Sequence, residues 1–326
     1  MLAVTDYIPA PIQGMHKKPT DPPTEYRTAL LLGKDGPESN AANAAYVDGN
    51  VENGIVTGGI IRSKGECFNN LIITDGRYKV RNLTIENTGH SVDDGKGLGC
   101  GILAGGDSRT EFTHLTIQNQ GIRNDAIVTG GTATMTIKDS EISCIGGTPE
   151  QIQAVHKIRP GKACMTYISG GWGTTRAINV QNDSSISLER CVVQSDSWGV
   201  LSTDNISAPK DWRPVKTRIH AKDCNVEITG RHGYGSYASG DCSNIFDHTR
   251  MYAPDVAYKV ANELAGGELF IGGSEIIGGR FGVMWQSNQG GKLVVKDSTI
   301  RSGRSTFIAR SCFPNIYCEN AVLETG

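Results

Sequence analysis

Acid–base chemistry needs a proton acceptor and a proton donor within hydrogen-bond reach of a substrate, beside a cation or an apolar wall that tunes them. In this 326-residue sequence such side chains recur at one place in a pattern. Asp125, Arg176, Trp198, Tyr234 and Phe281 stand just before short apolar runs such as Ala126-Ile127-Val128-Thr129 and Gly199-Val200-Leu201-Ser202. Asp196, Arg231, His232 and Arg280 lie one to three residues upstream of the same place. Histidine changes charge near neutral pH, so His232 is the first candidate for a general acid–base group, with Tyr234 as its partner. Arg176 offers a cation, and Asp125 with Asp196 is the one carboxylate pair that can flank a scissile bond. Trp198 offers a ring for stacking, with Tyr237, Lys157 and Asp204 as further substrate-binding candidates. Each of these residues taken singly has a competing structural role, a solvated ion pair at a turn.

Other chemistries lack their residues. No Cys-x-x-Cys pair or Cys/His zinc spacing occurs, no His-Glu-x-x-His, and no Gly-x-Ser-x-Gly elbow. The glycine-rich tract 89–106 has no strand–Gly-x-Gly-x-x-Gly–helix context, so a dinucleotide site is not expected. No cofactor is expected, and calcium has no specific support. Lys plus Arg is 32 against 34 Asp plus Glu, which leaves a net charge of −2 and excludes a polybasic nucleic-acid binder. No apolar stretch reaches the roughly 18 residues of a membrane span, and the first residues do not read as a secretory leader. The nine cysteines are odd in number and scattered, which suits free thiols in a reducing compartment. The expected location is therefore the cytoplasm, or the exterior if a leader has been removed.

The elements that must hold these residues are short strands. Segments such as Tyr78–Ile85, Met135–Ile142, Ile219–Val226 and Leu293–Ile300 each alternate apolar and polar, break at an Asn/Asp-type corner, and alternate again. The residue after the corner falls at Gly59, Leu83, Leu115, Ser140, Cys191, Cys224, Ser274, Ser298 and Ala321. The steps from 140 to 191 and from 224 to 274 are about twice the others and read as two turns each, which gives eleven coils. A third strand follows in each coil, as in Gly101–Ala104 and Gly282–Trp285. Such strands cannot bury a face alone and must stack on their neighbours. A two-sheet sandwich or jelly roll would not repeat so often at this period.

The predicted architecture is all-β: a solenoid over residues 55–326, with residues 1–54 as a terminal segment and cap. Inward columns run through Val80, Phe112, Ile137, Leu188, Ala221, Ile271 and Val295, and through Ile85, Ile117, Ile142, Val193 and Val226. The corner ladder of Asn82, His114, Asp139, Arg190, Asp223, Gly273, Asp297 and Asn320 is structural, because such residues tolerate a left-handed turn. On the third strand, Leu103, Val128, Asn179, Leu201, Tyr237, Met284 and Ile308 are expected outward, above a floor of Gly101, Ala126, Ala177, Gly199, Gly235 and Gly282. Longer inserts at 89–99, 146–173, 203–216 and 240–267 are expected at the rim, where function concentrates.

In its coil pattern, over about residues 55–324, the chain resembles the right-handed parallel β-helices of the pectate-lyase-like superfamily. It lacks their calcium-plus-arginine signature and the Asn-x-Asp…Asp-Asp run of polygalacturonases; the acidic pair Asp93-Asp94 stands alone. The resemblance implies a lyase or hydrolase acting on an oligosaccharide. In such lyases a base removes the proton α to a uronate carboxylate and a cation neutralises that carboxylate. Arg176 or Lys157 would be the cation here, with His232 or Tyr234 as base and acid. Two alternatives stay open: an isomerase, cyclase or lyase on a small, partly apolar molecule, and a non-enzymatic adhesive homotrimer.

Overall fold

A computed structural model describes residues 5–7, 26–38, 47–91, 96–146, 175–196, 198–204, 217–262, 267–287 and 289–326. The described residues form strands and turns and no helix, so no helix among them can cross a membrane. The third strands make one sheet. Tyr26–Gly33, Phe68–Ile73, Ile102–Ala104, Ile127–Thr129, Arg176–Gln181, Gly199–Asp204, Tyr234–Ser239, Val256–Asn262, Phe281–Ser287 and Ser305–Ser311 lie in that order, each parallel to the next. A second, larger sheet holds the first and second strands of each repeat, also stacked in parallel. Each strand therefore pairs one repeat away, the stacking expected of a solenoid.

The corners explain the spacing. Asn82, His114, Asp139, Arg190, Asp223, His248, Gly273, Asp297 and Asn320 all have φ between 48° and 57°. Asn, Asp and Gly adopt this conformation at little cost; His114, Arg190 and His248 adopt it because the stack above and below fixes the corner. The next residue points inward and must be small or apolar. Where it is serine, its hydroxyl ties two rungs together. Ser274 Oγ donates to Gly272 O at 2.8 Å and accepts from Thr249 N at 2.9 Å. Cys191 and Cys224 fill two neighbouring places in this column, buried beside each other.

Register alters the counting. Val192 pairs with Glu141, so Cys191 stacks directly on Ser140, and the 51-residue step between them is one repeat with a long insert, not two. The other long step is double, with His248 as its middle corner and Thr249 as the residue after it. The described corner column thus has ten positions rather than eleven. Residues 240–267, expected as a rim loop, are mostly a repeat of their own: Cys242–Asp247, Arg250–Ala253 and Val256–Asn262. The third-strand sheet also begins before residue 55, since Tyr26–Gly33 pairs parallel with Phe68–Ile73.

The inward columns pack as one core from Leu30 to Ile300. Within it Asn87 Nδ2 donates to Asn119 Oδ1 at 2.9 Å, and Ser63 Oγ donates to Asn87 Oδ1 at 2.6 Å. That polar spine satisfies groups which burial alone would penalise. The third strand departs from simple alternation. Ala126 and Ile127, and likewise Ala177 and Ile178, are consecutive members of the core. Leu201 is therefore a core residue, and Ser202 takes the outward place expected for it. Most of the small-residue floor also faces in. A Cβ on Gly235 would strike Met251, and one on Gly282 would strike Ile300, so these glycines make room for core side chains.

Eight cysteines, 67, 100, 144, 191, 224, 242, 312 and 318, are free. Cys312 and Cys318 are exposed, unlike the five buried at 100, 144, 191, 224 and 242. Cys164 lies outside the described residues.

Candidate functional site

The site is built on the outer face of the third-strand sheet. One outward column runs Leu31, Ile72, Leu103, Val128, Asn179, Ser202, Tyr237, Lys259, Met284 and Ile308. Its first four members pack with Tyr26, Leu98 and Cys100 in an apolar cluster separate from the core. The next four are polar, and then the column returns to Met284. A second outward column carries Asp125, Arg176, Gly199, Tyr234, Val256 and Phe281. Asn179, Ser202 and Lys259 are buried, at 1%, 0% and 3% exposure.

Tyr234 is the centre of this cluster. Its ring lies across the adjacent rung, where any Cβ on residue 199 would collide with it; glycine is required there for space. The Tyr234 hydroxyl accepts from Arg176 Nε at 3.2 Å and shares a hydrogen bond with Ser202 Oγ at 2.8 Å. Tyr237 leans on Tyr234 at 5.5 Å between ring centres, and Lys259 Nζ stands 5.9 Å above the Tyr237 ring. Trp198 meets Tyr234 edge-on at 6.1 Å. Arg176 and Tyr237 are half-buried and form the rim, while Tyr234, Ser202, Asn179 and Lys259 lie beneath.

Burial sets the protonation of these groups. Desolvation pushes the Tyr234 phenol up to about 12, opposed by the Arg176 charge. It raises Tyr237 as well, and the nearby Asp204 carboxylate adds to that rise. The same effect on an ammonium has the opposite sign and lowers Lys259 to about 8. Two phenols that keep their protons thus adjoin each other, and one of them, Tyr237, lies 5.9 Å from an amine whose proton burial loosens, groups that could serve acid–base chemistry. Among the described residues, Asn179 Oδ1 and Trp198 Nε1 are buried with no hydrogen-bond partner.

The expected residues distribute as follows. Arg176, Tyr234, Tyr237 and Trp198 come together, with Asp204 close enough to act on both phenols. Trp198 is not an exposed stacking plate: it is 3% exposed, and its register is one residue off, Gly199 being the residue opposite Arg176. Asp125 is buried and accepts from Arg176 N at 2.6 Å, a tie between rungs. Asp196 accepts from Gly146 N at 2.7 Å at an earlier corner of its rung. Both carboxylates therefore cap backbone groups. His232 is turned to a different carboxylate: its Nδ1 lies 3.3 Å from Asp255 Oδ2, which Arg280 also approaches. Lys157, together with Asp93 and Asp94, lies outside the described residues. Among the described residues no group of three or more His, Cys, Asp or Glu side chains is arranged to hold a metal ion.

Lys259 and Ser202 escaped the sequence reading. The signal for Lys259 was present: Val256-Ala257-Tyr258-Lys259-Val260 repeats the third-strand pattern with a lysine in the outward place. It was hidden because residues 240–267 were read as an insert. Compared with known proteins, the chain matches no protein-family model, no curated protein and no solved structure.

Proposed function

We propose that this chain is an enzyme of the right-handed parallel β-helix, pectate-lyase-like type, and that it cleaves an acidic saccharide by β-elimination on the third-strand face. The observation that carries the reading is the change of the outward column from apolar to polar side chains at Asn179, Ser202, Tyr237 and Lys259. Nothing in the packing of the stack demands that change, since the same column is apolar in earlier rungs. Arg176 pairs the uronate carboxylate and makes the α-proton more acidic. Lys259, as the neutral amine, removes that proton. The electron pair forms the new C=C bond, the C–O bond to the leaving sugar breaks, and the Tyr237 or Tyr234 hydroxyl protonates the departing oxygen. Each proton has a donor and an acceptor, and no water is consumed. Hydrolysis is less well supported, because Asp125 and Asp196 are both engaged by backbone amides.

The test is formation of an unsaturated uronate product from oligouronates, read by ultraviolet absorbance. Wild type should produce it, and Lys259→Met and Arg176→Gln should not. Turnover that survives both substitutions would refute the assignment, as would inertness of the wild type toward every uronate oligomer tried. Burial of Lys259 and Tyr234 favours a second reading, a lyase or isomerase acting on a small, partly apolar acid; it predicts turnover of monomeric but not polymeric acids.

A further inference from the structure

A second groove lies away from this face, at the corner where the third strand leads into the next first strand. Two adjoining cavities of about 620 and 470 Å³ share Asn53, Gly54, Arg77, Tyr78 and Arg109. Glycines shape the floor. Gly54 and Gly76 have φ of +74° and +88°, and a Cβ on Gly54 would come within 2.9 Å of Arg77 O. Tyr78 is buried, and its hydroxyl is tied to Gly33 O, so that wall is fixed.

Arg77 and Arg109 are register partners on adjacent rungs, so their backbones lie about 5 Å apart and their side chains leave in the same direction. Like charges directly opposite on neighbouring strands are unfavourable. Several arginines of the stack are neutralised across rungs: Arg62 meets Glu86 at 2.6 Å, Arg190 meets Asp139 at 2.6 Å, and Arg301 meets Glu324 at 2.6 Å. Arg81 and Arg218 have no such partner among the described residues, but each faces an uncharged residue in register, whereas Arg77 faces Arg109 across one groove. Among the described residues, no ion pair or side-chain hydrogen bond engages Arg77 or Arg109, and both are exposed. Of the four carboxylates that line these cavities three are engaged; the fourth, Asp35, has no ion pair or side-chain hydrogen bond among the described residues. Glu111 faces Lys138 at 3.5 Å, Asp107 accepts from Thr132 Oγ1 at 2.9 Å, and Asp75 accepts from Gly76 N at 2.6 Å. Their remaining lone pairs point the groove toward ligands with hydroxyls, while the two guanidinium forks suit a planar or tetrahedral oxyanion.

We propose that this groove binds an acidic saccharide, with Arg77 and Arg109 holding its anionic group and the aspartates accepting its hydroxyls. The reading is independent of the third-strand chemistry. The experiment uses the full chain carrying Lys259→Met, so that turnover at the other face does not interfere. Calorimetric titration with trigalacturonate, a sulfated disaccharide, a neutral trisaccharide and inorganic sulfate separates the ligand classes. Arginine labelling by phenylglyoxal, read by mass spectrometry, locates the contact. We expect an acidic saccharide to bind and to slow labelling of both Arg77 and Arg109. Arg77→Gln/Arg109→Gln should weaken that binding tenfold or more, since charge-assisted hydrogen bonds are lost. Which acidic saccharide binds tells carboxylate from sulfate. Equal affinity for the neutral trisaccharide, binding of inorganic sulfate alone, or unchanged labelling would overturn the proposal. The labelling result stands on the wild-type arginines even if the double variant does not fold. Turnover is read separately in the wild-type background: Arg77→Gln/Arg109→Gln that loses this binding but keeps wild-type turnover, or wild type that binds here but turns nothing over, separates the failure of one site from that of the other.

Discussion

Two stretches of one column on one sheet differ in kind. At Leu103 and Val128 the outward side chains pack into an apolar cluster, and at Ser202, Tyr237 and Lys259 they form a polar one. Both stretches are buried apart from Tyr237, which is half-buried, and rest on the same parallel ladder. The strand geometry therefore tolerates either composition. Burying an amine and several hydroxyls costs free energy that leucine and valine do not. A fold built only for stability would continue the apolar run. The central rungs carry that cost at Ser202, Tyr234, Tyr237 and Lys259, beside Arg176 on the Tyr234 hydroxyl, and a cost that packing does not require marks them as a candidate site.

The sharpest way to break the comparison is to remove the amine. Lys259→Met should lower turnover of an oligouronate by about 10²–10⁴-fold, the range for a general base. The thermal midpoint should hold or rise, because a desolvated cation is replaced by an apolar chain of similar length. A fall in both together would make Lys259 a structural residue. The converse substitution, Val128→Lys, places a charge among Leu31, Ile72 and Leu103. It should cost several kcal/mol of stability, seen as a lowered denaturant midpoint, because a buried charge lacks a partner there.

The pH dependence sharpens the same contrast. Lys259 titrates near 8 in the fold against about 10.5 for an ordinary lysine. Between those values the unfolded chain binds more protons, so stability should rise with pH from about 8. Below about 8 both states are protonated and the burial penalty is fully present. Denaturant unfolding between pH 7 and 10 should show this rise in wild type and lose it in Lys259→Met. The basic form also grows through pH 8, so turnover should climb over the same interval. The smallest effect is expected at His232, whose partner is Asp255. His232→Ala should change turnover less than about threefold; a loss of about 10²-fold, the scale of an acid–base group, would return it to the site.

Much of the stack was legible because its cause is local. The alternation of Val80, Phe112, Ile137 and Leu188 follows from the period of two in a strand, and these residues are register partners in the core. The corner at Asn82, Asp139, Asp223 and Asp297 was equally readable, because few residue types adopt positive φ at low cost. Of the site, Arg176, Tyr234 and Tyr237 were nominated by position alone. Trp198 and Asp204 beside them were nominated too, but Ser202 and Lys259 were not, because a one-residue shift and a rung that reads as an insert change which side chain stands opposite which.

Sequence by itself determined the repeat, the corners and the inward columns of the first two strands of each rung. Each of these is fixed by the conformational preference of a residue and its immediate neighbours. Only the tertiary structure decided register. It set Gly199 rather than Trp198 opposite Arg176, turned Leu201 inward and Ser202 outward, and made a rung of residues that read as a loop. It also decided which charges meet. Asp125 and Asp196 are spent on backbone amides, His232 is drawn to Asp255, and Lys259 is set over Tyr237. Those outcomes depend on contacts between residues some 20 to 50 positions apart, where a bulge or an insert of a few residues moves every later partner by a place.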